Sequence, residues 1–107
     1  MKLIIAIVQD EDAGRLMTSI MNEGFSVTKL ATTGGFLKAG NTTLLIGFES
    51  ERLDQAIGII EKTCKSRKQI STAPSPVPNS SGGYLPVEVV VGGATVFVMD
   101  VDQFKKF

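Results

Sequence analysis

Histidine is absent from the 107 residues, cysteine and tyrosine occur once each, and there is no excess of either charge, with 11 basic and 11 acidic residues. Without histidine, imidazole metal ligation is excluded, as are the usual acid–base and Ser–His routes to catalysis. A single cysteine, Cys64, can form neither an internal disulfide nor a cysteine zinc site. Its spacing from Leu53, Ile57 and Ile60 places it on an apolar helix face, so a buried structural thiol is expected rather than a reactive one. A duplex nucleic-acid binder usually shows a basic excess or stripe, and zero net charge argues against that class of partner. The longest unbroken apolar run, Leu3 to Val8, is six residues, whereas a bilayer-spanning helix needs about 20. No charged-then-apolar leader with a small-residue cleavage site opens the chain. A cytoplasmic protein without membrane contact is expected.

What is present suffices for one domain over residues 1–107, since 43% hydrophobic residues can build a core. Leu3 to Val8 is short and rich in β-branched residues, the pattern of a buried strand. The acidic cluster Asp10-Glu11-Asp12 suits the positive end of a helix, and Ala13, Leu16, Met17, Ile20 and Met21 follow at helical spacing. Gly24 is placed to end that helix. Phe25 to Leu30 reads as a second strand and Thr42 to Phe48 as a third. A second helix follows, with Ser50 as its N-cap and Leu53, Ala56, Ile57 and Ile60 as its buried stripe. All four prolines lie between Ser66 and Pro86, with several serines and Gly82-Gly83. A long flexible loop at about 66–86 is expected there, of the functional or disordered kind. Val87 to Met99 reads as one strand or two, bent at Gly92-Gly93. The order β-α-β-β-α-β is that of an α+β, ferredoxin-like domain with both helices on one face of an antiparallel sheet. The strands carry apolar residues on both sides, so oligomerisation is the natural cover for the other face.

Two segments carry the candidate chemistry. In the first, from Thr28 to Thr43, Gly34, Gly35 and Gly40 let a backbone approach a ligand and present N–H groups to phosphate. The threonine hydroxyls and the Asn41 amide can donate and accept at a base edge. Phe36 stands mid-loop, where a ring can stack on a purine. Lys29 and Lys38 can offset phosphate charge or remain ordinary solvated lysines. The same glycines can equally do no more than shape a hairpin. The segment is no Walker A loop, lacking Gly-Lys-Ser/Thr, and no dinucleotide fingerprint, since it opens into a strand. In the second segment, Pro86 to Met99, Phe97 reads by itself as core or interface packing.

Together, Thr-Lys-Leu-Ala-Thr-Thr-Gly-Gly-Phe-Leu-Lys-Ala-Gly-Asn-Thr-Thr (28–43) and Gly-Gly-Ala-Thr-Val-Phe-Val-Met (92–99) closely resemble the PII-like cyclic di-AMP receptors, the PstA or DarA family. The opening Met-Lys-Leu-Ile-Ile-Ala-Ile-Val-Gln-Asp matches as well, so the resemblance runs the whole length. It implies a bacterial cytoplasmic homotrimer of ferredoxin-like subunits with cyclic di-AMP in each inter-subunit cleft. Carried over by position, it implies that Thr28 and Asn41 hydrogen-bond the ligand. Gly35, Phe36 and Leu37 then form the enclosing loop, with the Phe36 ring against an adenine. Gly47 gives close backbone approach and Phe97 lines the cleft. The chain departs from the pattern at Ser26, where relatives can carry a basic residue.

An enzyme is not expected: no histidine, no carboxylate pair beside a nucleophile and no phosphate-cleaving motif is present. Asp100 and Asp102 read as caps for a terminal helical turn. No cofactor is expected beyond the ligand itself. The alternative is a PII-type regulator sensing ATP or ADP on the same fold. In either case, loop ordering on binding would be relayed to a downstream protein whose identity the sequence does not carry.

Overall fold

The computed structural model describes residues 1–30, 40–74 and 84–107. The apolar run at the start forms strand β1 (Lys2–Gln9), and its alternation of buried and half-buried positions is that of a strand covered mainly on one face. Helix α1 (Asp10–Asn22) follows at once, with three acidic residues in its first turn. It ends where expected: Gly24 takes φ +85°, its N–H donates to the Met21 carbonyl and that of Phe25 to Ile20. The chain then runs through β2 (Ser26–Leu30) and β3 (Asn41–Phe48), and helix α2 (Leu53–Cys64) returns across the sheet.

Ser50 is not the N-cap of α2. Residues Ser50–Arg52 form a 3-10 turn ahead of the helix, and the Ser50 hydroxyl accepts from the N-terminal amine. The work at this corner falls to Arg52. Its guanidinium lies 3.8 Å over the Phe25 ring and donates to the Glu23 and Gly24 carbonyls, joining the start of β2 to the start of α2. Phe25 in turn meets Phe48 edge-on, with centroids 5.7 Å apart.

The segment expected as a long loop over about 66–86 is different at both ends. Arg67–Pro74 is a strand, β4, and it pairs antiparallel with β5 (Tyr84–Val91), from Arg67 opposite Val91 to Pro74 opposite Tyr84. Residues 75–83 lie outside the described residues. The last strand, β6 (Ala94–Asp100), begins after Gly92-Gly93, so the two-strand reading of 87–99 holds. The two halves belong to separate sheets, one of order β2-β3-β1-β6 and one of order β4-β5. All neighbours in the larger sheet are antiparallel, compatible with the ferredoxin-like arrangement, with the hairpin inserted before the final strand. Asp102 caps no helix: residues 101–107 form none, and Asp100 instead pairs with Lys2 across the β1–β6 ladder.

The core lies between the helices and one face of the four-stranded sheet. Ile4, Ala6 and Val8 of β1 and Leu44, Ile46 and Phe48 of β3 meet Ala13, Leu16 and Ile20 of α1 and Ala56, Ile60 and Cys64 of α2. Truncating a side chain of this kind to alanine typically costs about 2–5 kcal/mol. One charged group is buried with them. Asp12, only 1% exposed, accepts from Arg15 at 2.8 Å and from Arg67 at 2.9 Å. Arg67 opens β4, so this carboxylate ties the foot of the hairpin to α1. The hydrogen bond from Arg67 to Asp12 raises the guanidinium pKa further above its already high ordinary value.

At the other foot, Gly92 and Gly93 take φ +81° and +92°. The Gly93 N–H donates to the Cys64 carbonyl. A Cβ on Gly92 would lie 2.5 Å from Arg67 Nη1 and 2.9 Å from the Lys65 carbonyl. Gly92→Ala is therefore expected to lower the unfolding free energy by about 2 kcal/mol or more, from left-handed strain and collision together; urea denaturation checks this. Cys64 is fully buried. Burial first, and the nearby Asp12 carboxylate second, push its thiol up to about 11 from an ordinary 9.0. The unfolded thiol ionises first, so the stability gained from keeping Cys64 neutral is complete below about pH 9 and is lost as pH rises towards 11. A thiol reagent at pH 8 should label the native protein far more slowly than the urea-unfolded chain.

Candidate functional site

Register fixes which side chains share a face. Residues paired directly across an antiparallel ladder point to the same side. Opposite the helices, β1 presents Leu3, Ile5, Ile7 and Gln9; β3 presents Asn41, Thr43, Leu45 and Gly47; β2 presents Ser26, Thr28 and Leu30; β6 presents Thr95, Phe97 and Met99. No described element covers this face. Its centre is apolar and half-buried, and Phe97, Met99 and Leu30 are exposed by 52%, 43% and 41%.

Each expected site residue within the described part of the chain falls on this open face. Thr28, Leu45, Ile5 and Phe97 form one cross-strand row, with Thr28 on the outer strand at one edge and Phe97 on the outer strand at the other. Gly47 lies opposite Ser26, diagonally adjacent to Thr28. Asn41 begins β3, opposite Gln9. Gly35, Phe36 and Leu37 lie outside the described residues, as does Lys38. Lys29 alternates to the helix side of β2, opposite Leu44, and so stands away from Thr28 and Gly47.

The structure brings some of these residues together and keeps others apart. Thr28 and Gly47 are neighbours. Asn41 is four residues along β3 from the Thr28 row, about 13 Å, and Phe97 is three strand spacings from Thr28, about 14 Å. One purine base cannot touch both Thr28 and Phe97 of a single chain. Gly47 is informative in another way. It is exposed, its φ is not positive, and a Cβ added there would meet nothing within 4 Å. The subunit's own packing does not require a glycine at this position.

Two residues of consequence had gone unassigned in the sequence. Gln9 ends β1 on the open face, and its Oε1 accepts from the Gly92 N–H at 2.7 Å; the period-two alternation from Leu3 places it there. In the sequence Asp12 reads as part of a helix-end charge cluster, and only its spacing from the buried Leu16 hints at burial. A cavity of about 340 Å³ lies between α2 and β6, lined by Ile57, Ile60, Cys64 and Val96 among others. It includes none of the expected ligand residues. Among the described residues no group of acidic or cysteine side chains is placed to hold a metal ion, and no helix is long and apolar enough to cross a membrane.

The whole of this chain, residues 1–107, matches the model of a protein family described as cyclic-di-AMP receptor. Among solved structures, the chain is similar to a functionally unknown protein from Pediococcus pentosaceus ATCC 25745. The two share 45% sequence identity at a TM-score of 0.77, over 99% of this chain and 96% of that one. A family of receptors is one of binding and signalling, and its members are not enzymes. On a match that spans its full length, the chain belongs to the cyclic-di-AMP receptor family.

Proposed function

We propose that the chain is a homotrimeric sensor that binds cyclic di-AMP in clefts between subunits and relays occupancy through its hairpin to a downstream protein. The single observation that carries the reading is the separation of Thr28 and Phe97 at opposite edges of one open, apolar sheet face. A cleft in which the β2 edge of one copy meets the β6 edge of the next unites them. The same association removes Leu3, Ile5, Ile7, Leu45 and Met99 from water. The empty space beside Gly47 suits a ligand or a second backbone lying close against β3.

In this site Thr28 and Asn41 supply hydrogen bonds, and Gly35, Phe36 and Leu37 enclose the ligand. Gly47 admits it to the strand. Cyclic di-AMP has two adenines, and Phe36 and Phe97 are the two ring surfaces for them. Binding needs no covalent step, which accords with a chain without histidine. We place the protein in the bacterial cytoplasm, where a nucleotide second messenger is made and read.

Calorimetric titration with cyclic di-AMP, with ATP, ADP and cyclic di-GMP as controls, tests the reading. Saturable binding of cyclic di-AMP alone is expected, near one ligand per chain, together with a trimer mass by light scattering. Phe36→Ala should weaken binding by roughly 5- to 150-fold, the range of one lost base–aromatic stack. Binding of ATP or ADP instead would make the protein a PII-type energy sensor, and silence across the panel would leave a structural trimer.

A further inference from the structure

We infer that Gln9 is a positioning residue that couples occupancy of the ligand site to the hairpin, an inference that rests on the receptor reading above. The hairpin stands on two feet. Arg67, the first residue of β4, is pinned to α1 by Asp12, with Nη2 at 2.9 Å from Oδ1. Gly92, just after β5, is held by the Gln9 side chain, its N–H 2.7 Å from Oε1. The Arg67 guanidinium packs so closely on Gly92 that no Cβ fits between them, so the two feet move together. Asp12 sits on the helix side of the domain, away from the described ligand candidates Thr28, Asn41, Gly47 and Phe97. Gln9 sits on the ligand side, directly opposite Asn41.

The Gly92–Gly93 pair has the backbone freedom of a hinge, with both residues in the left-handed region. A backbone N–H only donates, so the Gln9 amide must turn its oxygen to Gly92 to hold it. Gln9 is half-buried, and a glutamine side chain has several staggered rotamers open to it where no neighbour fixes it. Gln9 and Asn41 are cross-strand neighbours on one face, within side-chain reach of each other. A ligand engaging Asn41 therefore packs beside Gln9 and confines it to the rotamer that holds Gly92. The input at β3 becomes a fixed hinge at the start of β6. The coupling is reciprocal: an ordered hairpin raises ligand affinity by the same factor that the ligand orders the hairpin.

Hydrogen exchange of residues 67–74 and 84–91, measured with and without saturating cyclic di-AMP, tests this. In the unaltered protein the ligand is expected to slow exchange of the hairpin by about tenfold, a typical coupling. In Gln9→Leu, which keeps the bulk and removes the acceptor, the slowing should fall below about threefold, with affinity reduced by the same ratio. Gln9→Glu keeps an acceptor for Gly92 and should retain the slowing even where its charge weakens binding, which also covers the case of a poorly folding leucine variant. Equal slowing in Gln9→Leu and the unaltered protein would overturn the inference, as would loss of slowing in a Gln9→Glu protein that still binds. A ligand that binds the unaltered protein without affecting its hairpin overturns the coupling alone. Absence of calorimetric binding overturns the receptor reading itself.

Discussion

Two helices can cover only one face of a four-stranded sheet, and this sheet is apolar on both. Strand β1 shows the conflict most clearly. It is hydrogen-bonded along both edges, with Ile4, Ala6 and Val8 sealed under the helices and Leu3, Ile5 and Ile7 left half-open on the other side. Neither helix relieves this, because α1 and α2 are both committed to the same face. Among the described residues nothing covers the other face, and the proposed ligand residues Thr28, Asn41, Gly47 and Phe97 lie on it. On the proposed reading, assembly and recognition draw on the same surface. A site divided between two edges, as proposed, would exist only when copies meet, and ligand binding would then report on the assembly as well as on the ligand's own concentration.

The hairpin obeys the opposite logic. Ile70 and Val90, which share one face of it, are more than half exposed, and no described residue of the hairpin belongs to the buried core cluster. A lone two-stranded ribbon is marginal in water, so what steadies it must come from its feet. There the structure concentrates its costliest interactions. A carboxylate buried to 1% exposure is a liability unless it is fully paired, and Asp12 is paired twice, once by the residue that starts the hairpin. The arm is fastened at its base, the arrangement expected of an element that moves as a unit.

Much of the fold was legible in the sequence because burial leaves a period behind it. The run Leu3–Val8, the helical stripe from Ala13 to Ile20 and the glycine at 24 each announce an element whose one face is packed, and β1, α1, β2, β3 and α2 fall within a residue or two of the expected places, whereas β5 begins at Tyr84, inside the stretch expected as a loop. Strand β4 left no such trace. Arg67 to Pro74 holds a single large apolar residue, Ile70, which is exposed, and a strand without an apolar face of its own has no reason to alternate. Prolines and serines nearby then made the whole stretch read as a loop. The site was half legible. Thr28, Asn41, Gly47 and Phe97 were named from a resemblance in motif, whereas their common face follows from strand register, which a single sequence does not display. Gln9 and Asp12 escaped because both look like ordinary strand-end and helix-start residues. Their importance arises from partners 83 and 55 positions away.

The closeness of the hairpin's two feet also bears on how such a protein can diversify. Cys64 and Gly93 are joined by a backbone hydrogen bond, so everything between them is an excursion that leaves and re-enters the domain at one point. Lengthening that excursion adds only loop-closure entropy, about 0.6 kcal/mol for each doubling, and moves no residue of the core or of the open face. An arm mounted in this way can change in length and sequence to suit new listeners while the part that senses the ligand stays as it is.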